Sequence, residues 1–475
     1  MKRYIVILAA VVLALTSCGK DFLNEAPLLS QSDELTLSTI EGIDNSVGGA
    51  YSPLASTSWY GAEFITRHEL KTSNGKKSKV NDSGRMIADY NINYSPTATY
   101  GTWGYAYYVI SCANVIIDKL AENEELGTEE QRNNLTAECL FLRALSHFDL
   151  VRVYAQPYAY TADASHLGVP VVLHQDVSAK PERNTVKEVY DQIIADLLEA
   201  EKLIDPEYRR SGTDPAAAVS IYAIQALLSR AYLYSQQWQA AADYATKVIS
   251  SGEYRMWTPD EIFSIKGTEA SSVYWADAQT DGEVIFEVYG NKTNSYDGYH
   301  DGISPMTTPD GYGDAAASMD LVNLYEDTDI RGGLFITKGG DYWTAKYYGK
   351  GMANPDFNNV IVLRLSEMYL NRAEAVINGA SGSSAAADLE IIANNRGASV
   401  QNPTKAGVYL ERQKELAWEG HLWFDLARTG RPMTRTDVDP GVINEVPYPD
   451  FRWAMPIPDR EISCNENLVQ NDWSK

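Results

Sequence analysis

The side chains of this chain best suited to chemistry are aromatic, and they cluster. Trp59, Tyr60 and Trp103 fall within residues 50–108, and Tyr274, Trp275, Tyr296, Tyr299 and Trp343 within residues 257–348. Arg67, Asn93 and Asp297 are their polar companions. The first stretch holds 11 aromatics in 59 residues and the second 15 in 92, or 19% and 16% against 11% for the chain. Tyrosine outnumbers phenylalanine 31 to 10, and Tyr and Trp are the aromatics that keep a polar tip at wet surfaces. Their faces stack on the C–H patches of sugar rings or on peptide side chains, while Asn, Asp and Arg satisfy hydroxyls. The competing use of an aromatic ring is packing, and Tyr222, Tyr232, Tyr244 and Tyr369, which lie in periodic segments, are assigned to it.

Other chemistry lacks its residues. The six histidines form no HExxH and no close pair at metal-ligand spacing, and His147 lies inside a helical segment, where a structural role is expected. There is no GxSxG elbow, no GxxxxGK[ST] phosphate loop and no GxGxxG, so no cofactor is expected. Ser73-Asn-Gly-Lys76 matches SxxK without its companion motifs and is read as chance. Asp327-Thr-Asp329-Ile-Arg331-Gly332 begins like a calcium loop, but Arg331 replaces an oxygen ligand and Lys338 stands at the bidentate Glu position. No metal is expected there. Sixty-four Asp and Glu can always supply a carboxylate pair, so a lipid-anchored secreted hydrolase stays open as the alternative reading. Nucleic acid is excluded as the main partner. The net charge is −24, and the one local basic run, Lys71, Lys76, Lys77 and Lys79, sits in a polar loop-like stretch.

The first residues speak of an address. Lys2-Arg3 is a positive start, Tyr4–Leu15 is mostly apolar but too short to span a bilayer as a helix, and small residues lead to Cys18. Residues 1–17 are read as a signal peptide and Cys18 as the lipidation site, with residues 18–30 as a tether. Cleavage there leaves 458 residues and a charge of −26. Cys112, Cys139 and Cys464 then remain, enough for one disulfide at most, and the first two are expected as small buried thiols in helices.

Helical periodicity supplies the elements that must position the aromatics. Apolar residues recur helically through residues 130–154 behind a capping box at Thr128-Glu-Glu-Gln131. A second box, Thr185-Val-Lys-Glu188, opens a helix that stops at Asp205-Pro206. Ala217–Tyr234 and Trp238–Ile249 read as a hairpin with tetratricopeptide-like spacing of small residues. Ile361–Asn378 and Ala385–Arg396 read as another, with Gly397 as C-cap, and Lys405–Arg428 as one further helix. Glu283–Tyr289 is strand-like, and the tail from Val438 is non-helical. The expected fold is mainly α: a helical repeat scaffold with long irregular insertions and minor β.

Several segments together resemble the SusD/RagB family of outer-membrane nutrient-binding lipoproteins. They are the post-lipid segment Cys18–Pro27, the helix Ala137–Tyr154 with Gly168-Val-Pro170, the block Tyr222–Tyr254, and the run Leu363–Ala375. Glu411-Arg-Gln-Lys-Glu415-Leu-Ala-Trp-Glu419-Gly-His421 with Asp425-Leu426, and the ending Ile457-Pro458 to Gln470-Asn471, complete the set in order. Leu422 departs from the family, which usually has arginine there. The resemblance implies a SusD-like division into residues 31–255 and a C-terminal region 256–475 carrying the aromatic-rich insertion 257–348. It also implies a non-catalytic surface protein that hands oligosaccharides, or peptides, to a SusC/RagA-like TonB-dependent transporter, and the negative charge with few cations in the candidate loops favours a neutral ligand. The family helix whose start borders the glycan site matches Tyr107 to Asn114, which makes Trp103 the first choice for a ligand contact.

Overall fold

Both capping boxes form as their spacing predicts. Gln131 N donates to Thr128 Oγ1 at 3.1 Å while Gln131 Oε1 accepts from Thr128 N at 2.9 Å, and Thr185 and Glu188 repeat the exchange. In the computed structural model, which describes residues 33–95, 101–266, 269–275, 282–290, 302–349 and 358–473, these boxes start two of the longest helices. The helices of seven residues or more are α1 (Ile40–Tyr51), α2 (Glu63–Leu70), α3 (Gly101–Glu122), α4 (Glu129–Tyr154), α5 (Val186–Leu203), α6 (Ile221–Tyr234), α7 (Trp238–Ser250), α8 (Leu365–Ile377), α9 (Ala385–Arg396), α10 (Lys405–Glu415) and α11 (Leu422–Arg428). From α3 to α9 each helix packs against the next, so the chain builds a tetratricopeptide-like stack of antiparallel hairpins. Every residue of α4 from Ala137 to Tyr154 is buried, which is why it shows no amphipathic stripe.

Strand content is minor. Strands β1 (Gly75–Lys77), β3 (Ala315–Ala317), β5 (Asp341–Thr344) and β4 (Phe335–Lys338) form an antiparallel sheet in that order, with Gly75 opposite Ala317 and Ile336 opposite Trp343. Strand β2 (Val284–Val288), expected from its sequence, pairs antiparallel with β6 (Val360–Arg364) through a bulged register. The main apolar core runs from Ala50 to Leu468 and takes side chains from both halves of the chain.

Four local expectations change. Residues 361–364 open the predicted helix but are strand: Val360-Ile-Val-Leu is a β-branched run that satisfies its backbone against β2, and the helix begins only at Leu365. Lys405–Arg428 is two helices, because Trp418 (φ 63°) and Gly420 (φ 77°) take left-handed backbone between them. The predicted helix at Ala217 starts at Ile221, where Ser220 caps it by accepting from Ala223 N. Residues 50–108, read as irregular, contain α2, a short helix at 87–91 and the start of α3.

The turn between α10 and α11 closes over a buried charge cluster. Glu415 accepts from Arg364 at 2.6 Å, Arg396 at 2.8 Å and Arg331 at 2.7 Å. Arg364 also reaches Glu283 at 3.0 Å and Glu419 at 2.8 Å, and Arg396 reaches Glu283. Strand β6, helices α9 and α10, and the 411–421 segment are thereby tied at one point. Burial alone would push the Glu415 carboxyl up; Arg396, Arg364 and Arg331 hold it well below the usual range instead. Asp329, the would-be calcium ligand, is occupied by Arg331 at 2.8 Å and Lys414 at 2.7 Å. Leu422, where an arginine is usual, packs in the main core. Cys112, Cys139 and Cys464 are all free thiols.

Candidate functional site

Helix α3 has two unlike faces. At about 100° per residue, Trp103, Ala106, Ile110 and Ala113 point inward and are buried. Gly101, Gly104, Tyr105 and Tyr108, spaced i, i+3, i+4 and i+7, share the outward face and line an open recess of about 320 Å³. Tyr108 is 53% exposed and Tyr105 partly so. Gly104 leaves the face of this shelf uncovered: a Cβ built there meets nothing within 4 Å. No charged residue occurs on the helix before Asp118, so the shelf is uncharged along its length.

The platform is held rigidly from below. A Cβ on Gly101 would lie 2.4 Å from Ser58 Cβ, so only glycine lets the helix start press on that turn, and Thr102 Oγ1 donates to Ser58 O at 2.6 Å. Tyr107 Oη donates to Pro170 O at 2.9 Å and Asn114 Nδ2 to Val172 O at 3.0 Å. Asn114 Oδ1 in turn accepts from Arg143, which is bidentate to Asp196 at 2.7 and 2.8 Å. One buried network therefore locks α3, α4, α5 and the Gly168–Leu173 segment together. Among the described residues this surface offers aromatic faces with hydroxyl tips, which suit stacking on a ligand.

The aromatics chosen from the sequence sit differently. Trp103 is 3% exposed and spends its ring on Tyr107 and Tyr154, at 4.9 and 5.0 Å between centroids. Trp59 is fully buried, donating to Asp149 Oδ2 at 2.8 Å, and Tyr60 lies between it and Phe64. Burial, then the Asp149 charge, push the Tyr60 hydroxyl well above its usual range. Trp275 donates to Ala345 O at 2.5 Å and Tyr274 packs edge-on to Trp257 in a small second core. Trp343 is fully buried in β5 with its Nε1 on Gly313 O at 2.9 Å. These six rings have no face free for a ligand, which corrects the expectation that they form an exposed platform. Arg67 is mostly buried against Glu63 at 2.8 Å and Asp89 at 3.7 Å, so it too is spent on structure. Asn93 is exposed. Tyr296, Asp297 and Tyr299, like Cys18, lie outside the described residues.

Comparison with known proteins agrees with the helical stack. A family model described as "Starch-binding associating with outer membrane" matches residues 21–233, and the SusD family model matches residues 331–473. The chain belongs to the SusD/RagB family. SusD-like protein P25 of Formosa agariphila is 23% identical, with 98% of each chain covered. A SusD superfamily crystal structure from Bacteroides vulgatus is 28% identical with a TM-score of 0.82, covering 92% of this chain and 99% of that one. Surface glycan-binding protein A of Bacteroides thetaiotaomicron, solved with laminarihexaose, is 21% identical with a TM-score of 0.73, covering 92% and 100%. In this SusD/RagB chain the residue singled out from the sequence, Trp103, is on the buried face of the helix whose other face carries the recess. The signal that separates the faces is in the sequence: two glycines and two tyrosines at i, i+3, i+4 and i+7, opposite an apolar ridge.

Proposed function

We propose that this protein is a non-catalytic lipoprotein of the outer membrane that binds a neutral glycan and delivers it to a SusC/RagA-like TonB-dependent transporter. The observation that carries the reading is the uncharged shelf of Gly101, Gly104, Tyr105 and Tyr108, presented by a helix that a buried network holds in place. Rings with C–H faces gain from stacking there, and a polyanion gains nothing because no cation lies on the shelf. The glycan class is supported by the relative solved with laminarihexaose. Membrane attachment through Cys18 is supported by the positive start, the short apolar run and the small residues that lead to that cysteine. Among the described residues no helix is long and apolar enough to cross a membrane. Peptides remain the second ligand class of the family resemblance, without a cation or carboxylate on the shelf to favour them.

Isothermal titration of the full chain tests this, using laminarin and a panel of neutral polysaccharides, a sulfated polymer, a uronic-acid polymer and a peptide digest. A product assay runs alongside. Binding of a neutral polymer without product is the expected result. Product formation would install the hydrolase reading, and tight binding of the anionic polymers would overturn the neutral-ligand clause. The transporter is tested by gentle detergent extraction of native membranes. Co-purification with a large barrel is expected, and recovery of monomer alone would count against delivery.

A further inference from the structure

A second and larger recess, of about 570 Å³, lies between the end of α1 with the turn after it, residues 210–217, and the end of β2. A volume of that size suits a compact ligand, in the range of about 300–1,000 Å³ usual for small-molecule sites. Three polar groups on its wall are unspent. The hydroxyls of Ser52 and Thr213 have no hydrogen-bond partner among the described residues. Asp214 uses Oδ1 to hold Ala216 N at 3.0 Å, while its Oδ2 is shielded from water and has no partner among the described residues. Leu54, Val288 and the half-buried ring of Tyr289 supply apolar wall beside these groups.

Charge decides which donor belongs there. Among the described residues of the wall Arg210 is the only cation, and it is already committed to Glu138 at 2.9 Å and Asp44 at 2.8 Å. Asp214 and Glu287 remain, so an anion meets a wall of net negative charge. Two hydroxyls that both give and accept, one carboxylate in need of a donor, and an apolar side are the complement of a sugar ring. A buried acceptor without a partner also discriminates strongly in favour of a ligand that brings a hydroxyl.

We propose that this recess is a second carbohydrate site, which takes one or two rings at the end of a neutral oligosaccharide. The proposal rests on the reading of the protein as a glycan binder, but it uses none of the shelf residues. The test titrates the full chain with glucose, galactose, mannose, xylose and their β-linked disaccharides, with putrescine as the cationic probe. Crystals soaked in the best sugar locate it. Binding of a disaccharide with density beside Asp214 is expected, weakened at least tenfold in Asp214→Asn and abolished in Ser52→Phe, which fills the recess. Melting temperatures of both variants close to the parent exclude misfolding as the cause. Three results overturn the proposal: no sugar of the panel binds, putrescine binds more tightly than any sugar, or the sugar lies elsewhere in the crystal. Loss of polymer binding in Tyr108→Ala while the disaccharide still enters the recess would leave both sites standing. Polymer binding that is indifferent to Tyr105 and Tyr108, with a disaccharide in the recess, would remove the shelf and keep this site.

Discussion

The shelf and the core place opposite demands on neighbouring residues of α3, and single substitutions separate them. Tyr108→Ala should weaken a stacked ligand by about 2 kcal/mol, roughly thirty-fold in affinity, with the melting temperature unchanged. Trp103→Ala should do the reverse in the first instance, costing about 3–5 kcal/mol of stability through the cavity left against Tyr107 and Tyr154. Gly104→Gln is the sharpest case. Space is open there, so the substitution should stabilise the helix by up to about 1 kcal/mol while covering the tyrosines and blocking ligand. Denaturation and titration of the same three variants check all of this. Lys71 is a residue-scale liability of another kind: it is fully buried between the rings of Tyr94 and Trp423, with no hydrogen-bond partner for its Nζ among the described residues. Burial pulls it down to about 7, against a smaller opposing pull from Asp89. A cation whose folded value lies below its unfolded one destabilises in full below pH 7, and the penalty fades as pH rises toward about 10.5. Lys71→Met should therefore raise stability by a few kcal/mol at pH 6, on the order of 1.4 per unit of depression, and by little at pH 10. An equal gain at both pH values would refute the account.

Among the elements, the cluster around Glu415 joins the β2–β6 pair, through Glu283 and Arg364, to Arg331, Arg396 and the end of α10. Glu415→Gln leaves Arg331, Arg364 and Arg396 short of a charge in a dry interior, which should cost about 3–5 kcal/mol. The acid response follows from the same residues. Glu415, Glu419 and Asp425 are pushed up by burial but held below their ordinary values by their arginine partners, with Lys346 helping at Glu419. Carboxyls with depressed folded values stabilise fully above the unfolded range, near pH 4–4.5, and that contribution is lost as pH falls through the folded values. Urea unfolding of the parent should thus weaken steeply below about pH 4, and less steeply in Glu415→Gln. How the sequence reads at this scale depends on what fills each segment. Capping boxes at Thr128 and Thr185 are local and were legible. The strand at 360–364 was not, because its β-branched run fits a buried helix as well as a strand until β2 is beside it.

At the scale of the whole molecule, attachment and partnership are the open quantities. Cys18→Ala should move the protein from the membrane pellet to the soluble fraction in cells lacking the transporter. Retention in the pellet would mean another anchor. If cleavage before Cys18 leaves a charge of −26, salt should alter the rate of docking to the proposed transporter more than the affinity, because charge alone does not make a large interface.

What the sequence determined by itself is what short-range chemistry writes down: helix starts and stops, hairpin spacing, the ordered set of family segments, and the absence of motifs for metal, nucleotide or acyl-transfer chemistry. It also marked the helix that carries the shelf. Only the tertiary structure decided which aromatics are available. Trp59, Trp103, Tyr274, Trp275 and Trp343 look the same on paper as Tyr105 and Tyr108, since ring size and polarity are equal to either role. Which face of a ring meets solvent depends on the neighbours that pack on it, and those come from residues far away in the chain: Asp149 for Trp59, Tyr154 for Trp103, Ala345 for Trp275, Gly313 for Trp343. The aromatic-rich stretches were read as a binding surface, yet a tryptophan there can bury its ring and satisfy its one N–H on a carbonyl distant in the chain, as Trp275 does on Ala345 and Trp343 on Gly313.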